Sequence, residues 1–468
     1  MPIDIGPRAA VHLLNRIGFG PRPGDVGRVL GMGLDRYVQG QLEAPAEPEL
    51  DARLRGLITL DYPISQVLTL YNADQRSIGV ILDELLTAKV IRAVHAQNQL
   101  QEVLVDFWFN HFNVYIQDGF ARYSTAAYER EAIRPHALGK FRDLLGATAA
   151  HPAMLYFLDN YLSRATVTVG GRVVRGLNEN YGRELLELHT VGVDAGYTQE
   201  HVIDAARCFT GWGIDNLGTS GRFAYRPAVH DTGAKSVFGL SLPAGGGKDD
   251  GDKLLDYLAS HPKTAAFIAK KLTQRFVSDD PPPRAVDRAA AAFQSSGGDI
   301  REVVRAILGS AEFWAEAFGA GKPKTPLELV ASGLRAADAQ VSNGRAVAAS
   351  LQNMGMPLYS CVPPTGYSNR GADWINPSSQ LYRMNFALDL AAGAIAGVSA
   401  DVGGVVRRMG GDSESPRSVA STISAEIFGK GLSGSTLDAA SRVASGGSVS
   451  VAARVAGLCL GSPEMQAR

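Results

Sequence analysis

The chain holds 468 residues, 45 % of them hydrophobic, with a net charge of −1 and a pI near 6.8. That length and apolar content suffice to bury a sizeable core. The balanced charge, with no block of one sign, argues against a nucleic-acid or membrane-surface partner.

The N-terminal stretch "MPIDIGPRAAVHLLNRIGFG" lacks a basic region followed by an apolar run of signal length, and no apolar run in the chain reaches the ~18 residues of a membrane span. A soluble protein is expected. Within that stretch "RAAVHLLNRI" has helical apolar spacing and "GFGPRPGD" stops it; "PGDVGRVLGMGLDRYVQGQL" reads as two short helices. Residues 78–116 form the longest helical candidate, read as one central helix. The segment 126–160 continues with helices cut at Pro135 and Pro152. Residues 163–177 alternate β-branched and polar residues around Gly-Gly and read as a small hairpin or a loop over a site.

"NENYGRELLELHTVG" then reads as a helix closed by Gly192, and Thr198 caps "TQEHVIDAARCFTGW". Residues 213–252, rich in Gly and Pro, read as a long irregular loop. Two long helices are expected on either side of the "PPPR" break at 281–284, and a further helix, a loop and a last helical region follow Lys322. The fold class is thus mainly α, with a minor hairpin insertion and one long loop. A helical core domain is placed at 1–395, and a C-terminal helical region, rich in small residues and packed on that core, at 396–468. Three scattered cysteines, Cys208, Cys361 and Cys459, give neither a disulfide framework nor a paired metal spacing and read as buried thiols.

One pattern demands chemistry. Within "EVLVDFWFNHFN", Glu102, Asp106, Phe109 and Asn113 share a narrow helical face, which extends back through Gln99, His95 and Arg92. Phe107, Trp108 and Phe112 fill the rest. As the solvated edge of an amphipathic helix the seam would matter little. As a buried stripe it needs partners or a ligand, and the aromatic density favours burial. His111 falls among the aromatics and reads first as a hydrogen-bonded core histidine.

The "NENYGRELLELHTVG" helix carries Glu179, Arg183 and Glu187 as an i,i+4 ladder, whose plainest reading is a surface salt-bridge row. Glu184 lies further round, beside Asn180, and His189 lies on the apolar side. Its Glu-x-x-Glu-x-His spacing matches neither a zinc-protease nor a di-iron pattern. Two such helices can set carboxylates facing each other across a cleft, the minimum apparatus of glycoside hydrolysis. Glu102 is the candidate on one side and Glu184 or Glu187 on the other. His230 and Asp231, with Lys235 close behind, form either a loop cap or an imidazole and carboxylate offered to a pocket. A phosphate loop, a G-x-S-x-G elbow and a C-x-x-C pair are all missing.

The stretches "HLLNRIGFGPRPGDV", "QLQEVLVDFWFNHFNV", "NENYGRELLELHTVGVDAGYTQEHVIDAARCFTGW", "HDTGAKSVFG", "KLTQRFVSDDPP", "GGDIREVVRAILGSAEFW" and "KTPLELVASGLRA" together resemble the bacterial domain-of-unknown-function 1800 family over nearly the whole chain. The resemblance implies a mostly helical, often exported protein, periplasmic or extracellular, frequently encoded beside a second exported family; it brings no established reaction. Many relatives read Trp-His-Asn-His-Phe where this chain has Phe109, so any metal site of theirs lacks a ligand here. The family's motifs carry over Glu102, Asn110, His111, Asn180, Arg183, Glu184, Glu187, His189, Trp212, His230, Asp231 and Lys235 as candidate site residues.

The expected function is a hydrolase of an envelope or extracellular glycan. Glu102, Glu184, Glu187, His230 and Asp231 would be catalytic. Asp106, Trp108, Asn110, His111, Asn180, Tyr181, Arg183, His189, Trp212 and Lys235 would bind substrate, the aromatics by stacking on sugar rings. No metal or cofactor is expected. The alternatives are a non-catalytic helical scaffold or maturation partner for a companion exported protein, and a metal-dependent enzyme. On the hydrolase reading Glu102→Gln abolishes turnover and leaves folding intact; on the scaffold reading it leaves function untouched or even raises stability.

Overall fold

Caps and breakers written in the sequence divide the chain into many short helices. The computed structural model describes residues 6–169, 172–174, 176–319, 321–429, 431–443 and 449–468, with the backbone alone at 167–169 and 172–174. Thr198 accepts from the His201 backbone N–H and the His201 side chain accepts in return, a capping box that opens the Gln199–Cys208 helix. Thr325 and Glu328 do the same for Pro326–Ala336. The fold is mainly α-helical, with four two-stranded antiparallel sheets among the described residues.

The expected 78–116 helix is two helices, Ser77–His95 and Gln99–His111. Ala96 turns to extended backbone (ψ 140°), and the Glu47 carboxylate accepts from the Gln97 and Asn98 backbone N–H groups. An acid about fifty residues upstream therefore caps the second helix. The Gln99–His111 helix is central, with Phe107, Trp108 and Phe112 buried.

The small hairpin is Val167–Val169 against Arg172–Val174, and its Gly-Gly turn lies outside the described residues. The 213–252 loop carries some regular structure between its turns. It folds as two hairpins, Trp212–Asp215 with Arg222–Tyr225 and Lys235–Val237 with Leu240–Leu242. The tight second turn puts Phe238 and Gly239 at φ +50° and +99°, the left-handed pair that a two-residue hairpin requires. The two expected long helices each break as well, at His261–Pro262 and at the positive-φ pair Gly297–Gly298.

Apolar side chains from both sides of residue 395 belong to one buried cluster. The Val451–Leu460 helix packs on Pro377–Ala391 so closely that a Cβ on Gly457 would sit 2.9 Å from Leu388. Segments 322–324 and 466–468 pair through backbone bonds, including a reciprocal Lys322–Arg468 pair at 2.9 Å in each direction. Beneath them Glu328 makes ion pairs with Arg275 at 2.8 Å and Arg468 at 3.0 Å.

Candidate functional site

The polar seam is buried, and its partners are internal. Glu102 accepts two bonds from the Arg134 guanidinium, at 2.6 and 3.0 Å. Asp106 pairs with Lys89 on the Ser77–His95 helix at 3.1 Å. Glu129 joins the two pairs, 3.1 Å from Arg134 and 3.7 Å from Lys89, and accepts from the Tyr359 hydroxyl at 2.8 Å. Burial raises the Glu129 carboxyl, but Lys89, Arg134 and Arg92 outweigh it and hold the pKa at about 2. The seam's amides are engaged by a loop: Asn110 exchanges two bonds with the Tyr367 backbone, both at 2.6 Å, and Asn113 donates to the Cys361 and Pro363 carbonyls. Three cations (Lys89, Arg92, Arg134) thus face three carboxylates (Glu102, Asp106, Glu129).

Glu129 sits in a π-helical turn, Glu129–Ile133, and the second helix ends in another, Leu185–His189. Each wide turn shifts the register of the residues after it, and such turns recur at functional sites. A cavity of about 430 Å³ opens beside Glu102, lined also by Arg92, Asn98, Gln101, Arg134 and Arg301.

Glu184 and Glu187 do not line that cavity. Their surroundings are their own helix and Tyr197: Arg183 lies 3.1 Å from Glu179 and 3.7 Å from Glu187, the expected ladder, half-exposed. Burial and the neighbouring Glu187 push the Glu184 carboxyl upward. Asn180 donates its backbone N–H to Asn178. Glu102 and the expected partners Glu184 and Glu187 instead fall in separate clusters, the first paired with Arg134 and the other two beside Arg183 and Tyr197.

His230, Asp231 and Lys235 form a third cluster. Asp231 takes two bonds from Arg207, both at 2.9 Å. Lys235 pairs with Asp250 at 2.7 Å and donates to the Asp231 and Gly233 carbonyls. His230 lies between Thr210 and Asp250. Of the two open readings, the loop fastening is the one these bonds describe: they tie the 230–235 segment to the Gln199–Cys208 helix and its C-terminal turn.

The aromatic candidates are core residues. Trp108 donates to the Ala137 carbonyl, Tyr181 packs edge-on against Phe209 at 4.8 Å, and Trp212 packs on the same ring at 5.1 Å. All three are buried and present no face for a sugar, since their large apolar area is worth most inside. His111 and His189 are buried neighbours 6.2 Å apart, the former bonded to the His189 carbonyl. Burial and nearby Lys271 hold the His189 imidazole down at about 3. Among the described residues no group of three or more His, Cys, Asp or Glu is placed to hold a metal ion, and no helix is long and apolar enough to cross a membrane.

Sequence reasoning missed Lys89, Glu129, Arg134 and Tyr359 as the seam's partners. The signal available was charge itself: an acidic stripe amid aromatics requires buried cations, and "TAKVIR" and "AIRP" supply them. No curated protein and no solved structure matches the chain. A family model described as "Protein of unknown function (DUF1800)" matches residues 12–467, so the chain belongs to the DUF1800 family.

Proposed function

We propose that the protein is a non-catalytic helical scaffold that docks a companion exported protein. The observation that carries this reading is an apolar stripe on the Pro377–Ala391 helix. Leu381, Tyr382, Met384 and Leu388 are 59, 38, 50 and 45 % exposed, with Leu458 of the adjoining helix 39 % exposed. Large apolar side chains gathered on one helix face mark a protein interaction surface. The closure of Glu102 and Asp231 by their own arginines supports the same reading, because an acid locked in a bidentate pair is poorly placed to exchange protons with a substrate.

The partner surface is a complementary apolar helix face on the companion protein that members of the family are expected to be encoded beside. Co-expression of the two tests it. The wild-type chain should co-elute with the companion, and Leu381→Glu with Met384→Glu should abolish co-elution while leaving the circular dichroism unchanged. A companion that never co-elutes, or that co-elutes equally with the double variant, refutes the proposal.

One observation favours glycan hydrolysis as a second reading: Glu184 is half-buried and raised toward neutrality beside Glu187, the acid-and-carboxylate pairing such chemistry uses. Reducing-end release from a panel of bacterial polysaccharides, lost in both Glu184→Gln and Glu187→Gln, is the result this reading requires. Absence of any release by the wild-type chain removes it.

A further inference from the structure

A second cavity lies far along the chain from every candidate above. Its volume is about 350 Å³, within the ~300–1,000 Å³ usual for small-molecule sites. Val11, Ala317, Ile427, Phe428 and Met465 give it apolar walls. Asn15, Lys324 and Ser332 are among its polar lining residues and are more than nine-tenths buried.

Their bonding is incomplete. Lys324 Nζ donates to Ser332 Oγ at 2.8 Å, the only hydrogen bond of its ammonium among the described residues. Asn15 donates to the Val11 carbonyl through Nδ2, and its Oδ1 has no partner there. Behind the lining, the Arg16 guanidinium is fully buried, makes no hydrogen bond among the described residues, and has its nearest acid, Glu316, at 3.9 Å. Buried polar groups are ordinarily satisfied, and an unpaired buried cation is costly. Positive charge left over in an apolar enclosure is what an anion with a hydrocarbon body would complete.

We infer that this cavity binds an aliphatic monocarboxylate, its carboxylate on Lys324 and its chain against Val11, Phe428 and Met465. This goes beyond the scaffold reading and does not depend on it. Two acids also line the cavity. Glu464 is engaged by the Ser433 backbone and the Thr436 hydroxyl, and Glu316 faces Arg16. Their presence favours one negative charge on the ligand over the two of a phosphate monoester. Burial brings Lys324 down to about 7, with Glu328 opposing and Arg383 adding, so an arriving carboxylate also restores the ammonium's full charge.

Calorimetric titration of the intact chain with decanoate, decanol and decyltrimethylammonium tests the inference. Decanoate should bind, with the alcohol and the cation each weaker by roughly tenfold or more, because the charge-assisted bond to Lys324 is lost. Lys324→Met should weaken decanoate by roughly tenfold or more and leave decanol unchanged, and it should fold, since it removes a buried charge while keeping the stem's volume. Val11→Trp, which fills the apolar side, should abolish binding of both. Failure of decanoate to bind the wild-type chain, equal binding of decanol, or undiminished decanoate binding by Lys324→Met overturns it. The three-ligand series on the wild-type chain decides the matter even where a variant does not fold.

Discussion

Replacing Glu102 by Gln removes one of the seam's three carboxylates while its three cations stay. The amide still accepts one bond from Arg134, but the second acceptor becomes an N–H pointing at an N–H. Deleting one partner of a buried pair ordinarily costs about 3–5 kcal/mol. Here Arg134 retains Glu129 at 3.1 Å and is 21 % exposed, so solvent and the second acid absorb part of the loss. The expected destabilisation is about 2–3 kcal/mol. Urea denaturation of the wild-type chain, Glu102→Gln, Arg134→Met and the double variant gives the coupling energy directly; it should exceed about 1 kcal/mol, as for residues of one network. A change within about 0.5 kcal/mol, the usual range of an inconsequential surface substitution, would refute the claim that this pair anchors the core.

Glu129 makes stability depend on acid. Its folded-state pKa of about 2 lies below the ordinary 4.5, so its contribution is present above about pH 4.5 and lost as pH falls toward 2. The urea midpoint should therefore fall across that window, more shallowly in Glu129→Gln; identical slopes would show that Glu129 does not carry the effect. Gly182→Ala places a Cβ 2.6 Å from the Ala206 nitrogen, backbone that cannot step aside, and should destabilise by about 1–3 kcal/mol. An unchanged midpoint would mean the two helices part more easily than their contact implies.

The legible part of the fold was what neighbouring residues decide: the Thr198 cap, the breaks at Pro135 and Pro152, the burial of Phe107, Trp108 and Phe112, the Glu179–Arg183–Glu187 ladder. Each depends on residues within a few positions of one another. The break at Ala96–Asn98 was hidden because Glu47, which fastens it, sits about fifty residues upstream, just before the Pro48–Leu54 helix. Without that break, Arg92 and Glu102 read as one face of one helix; with it, the charges meet across two. The π-helical turns were equally hidden, since one extra residue per turn leaves the apolar pattern nearly intact. The inferred cleft failed for a related reason. A helical wheel shows that an acid is buried but not what faces it, and Arg134 enters from a separate segment. Because Glu102 is paired with Arg134, destabilisation is now the outcome expected of Glu102→Gln, in place of intact folding.

The pairing of 322–324 with 466–468 bears on the order in which the molecule can be assembled. Glu328 holds two guanidiniums, Arg275 and Arg468, and the second is synthesised long after the first. Without the 466–468 segment, Glu328 keeps Arg275 at 2.8 Å but lacks its second guanidinium, and Lys322 lacks its backbone partner. The 466–468 segment supplies both, joining the two ends of this part of the fold in one contact.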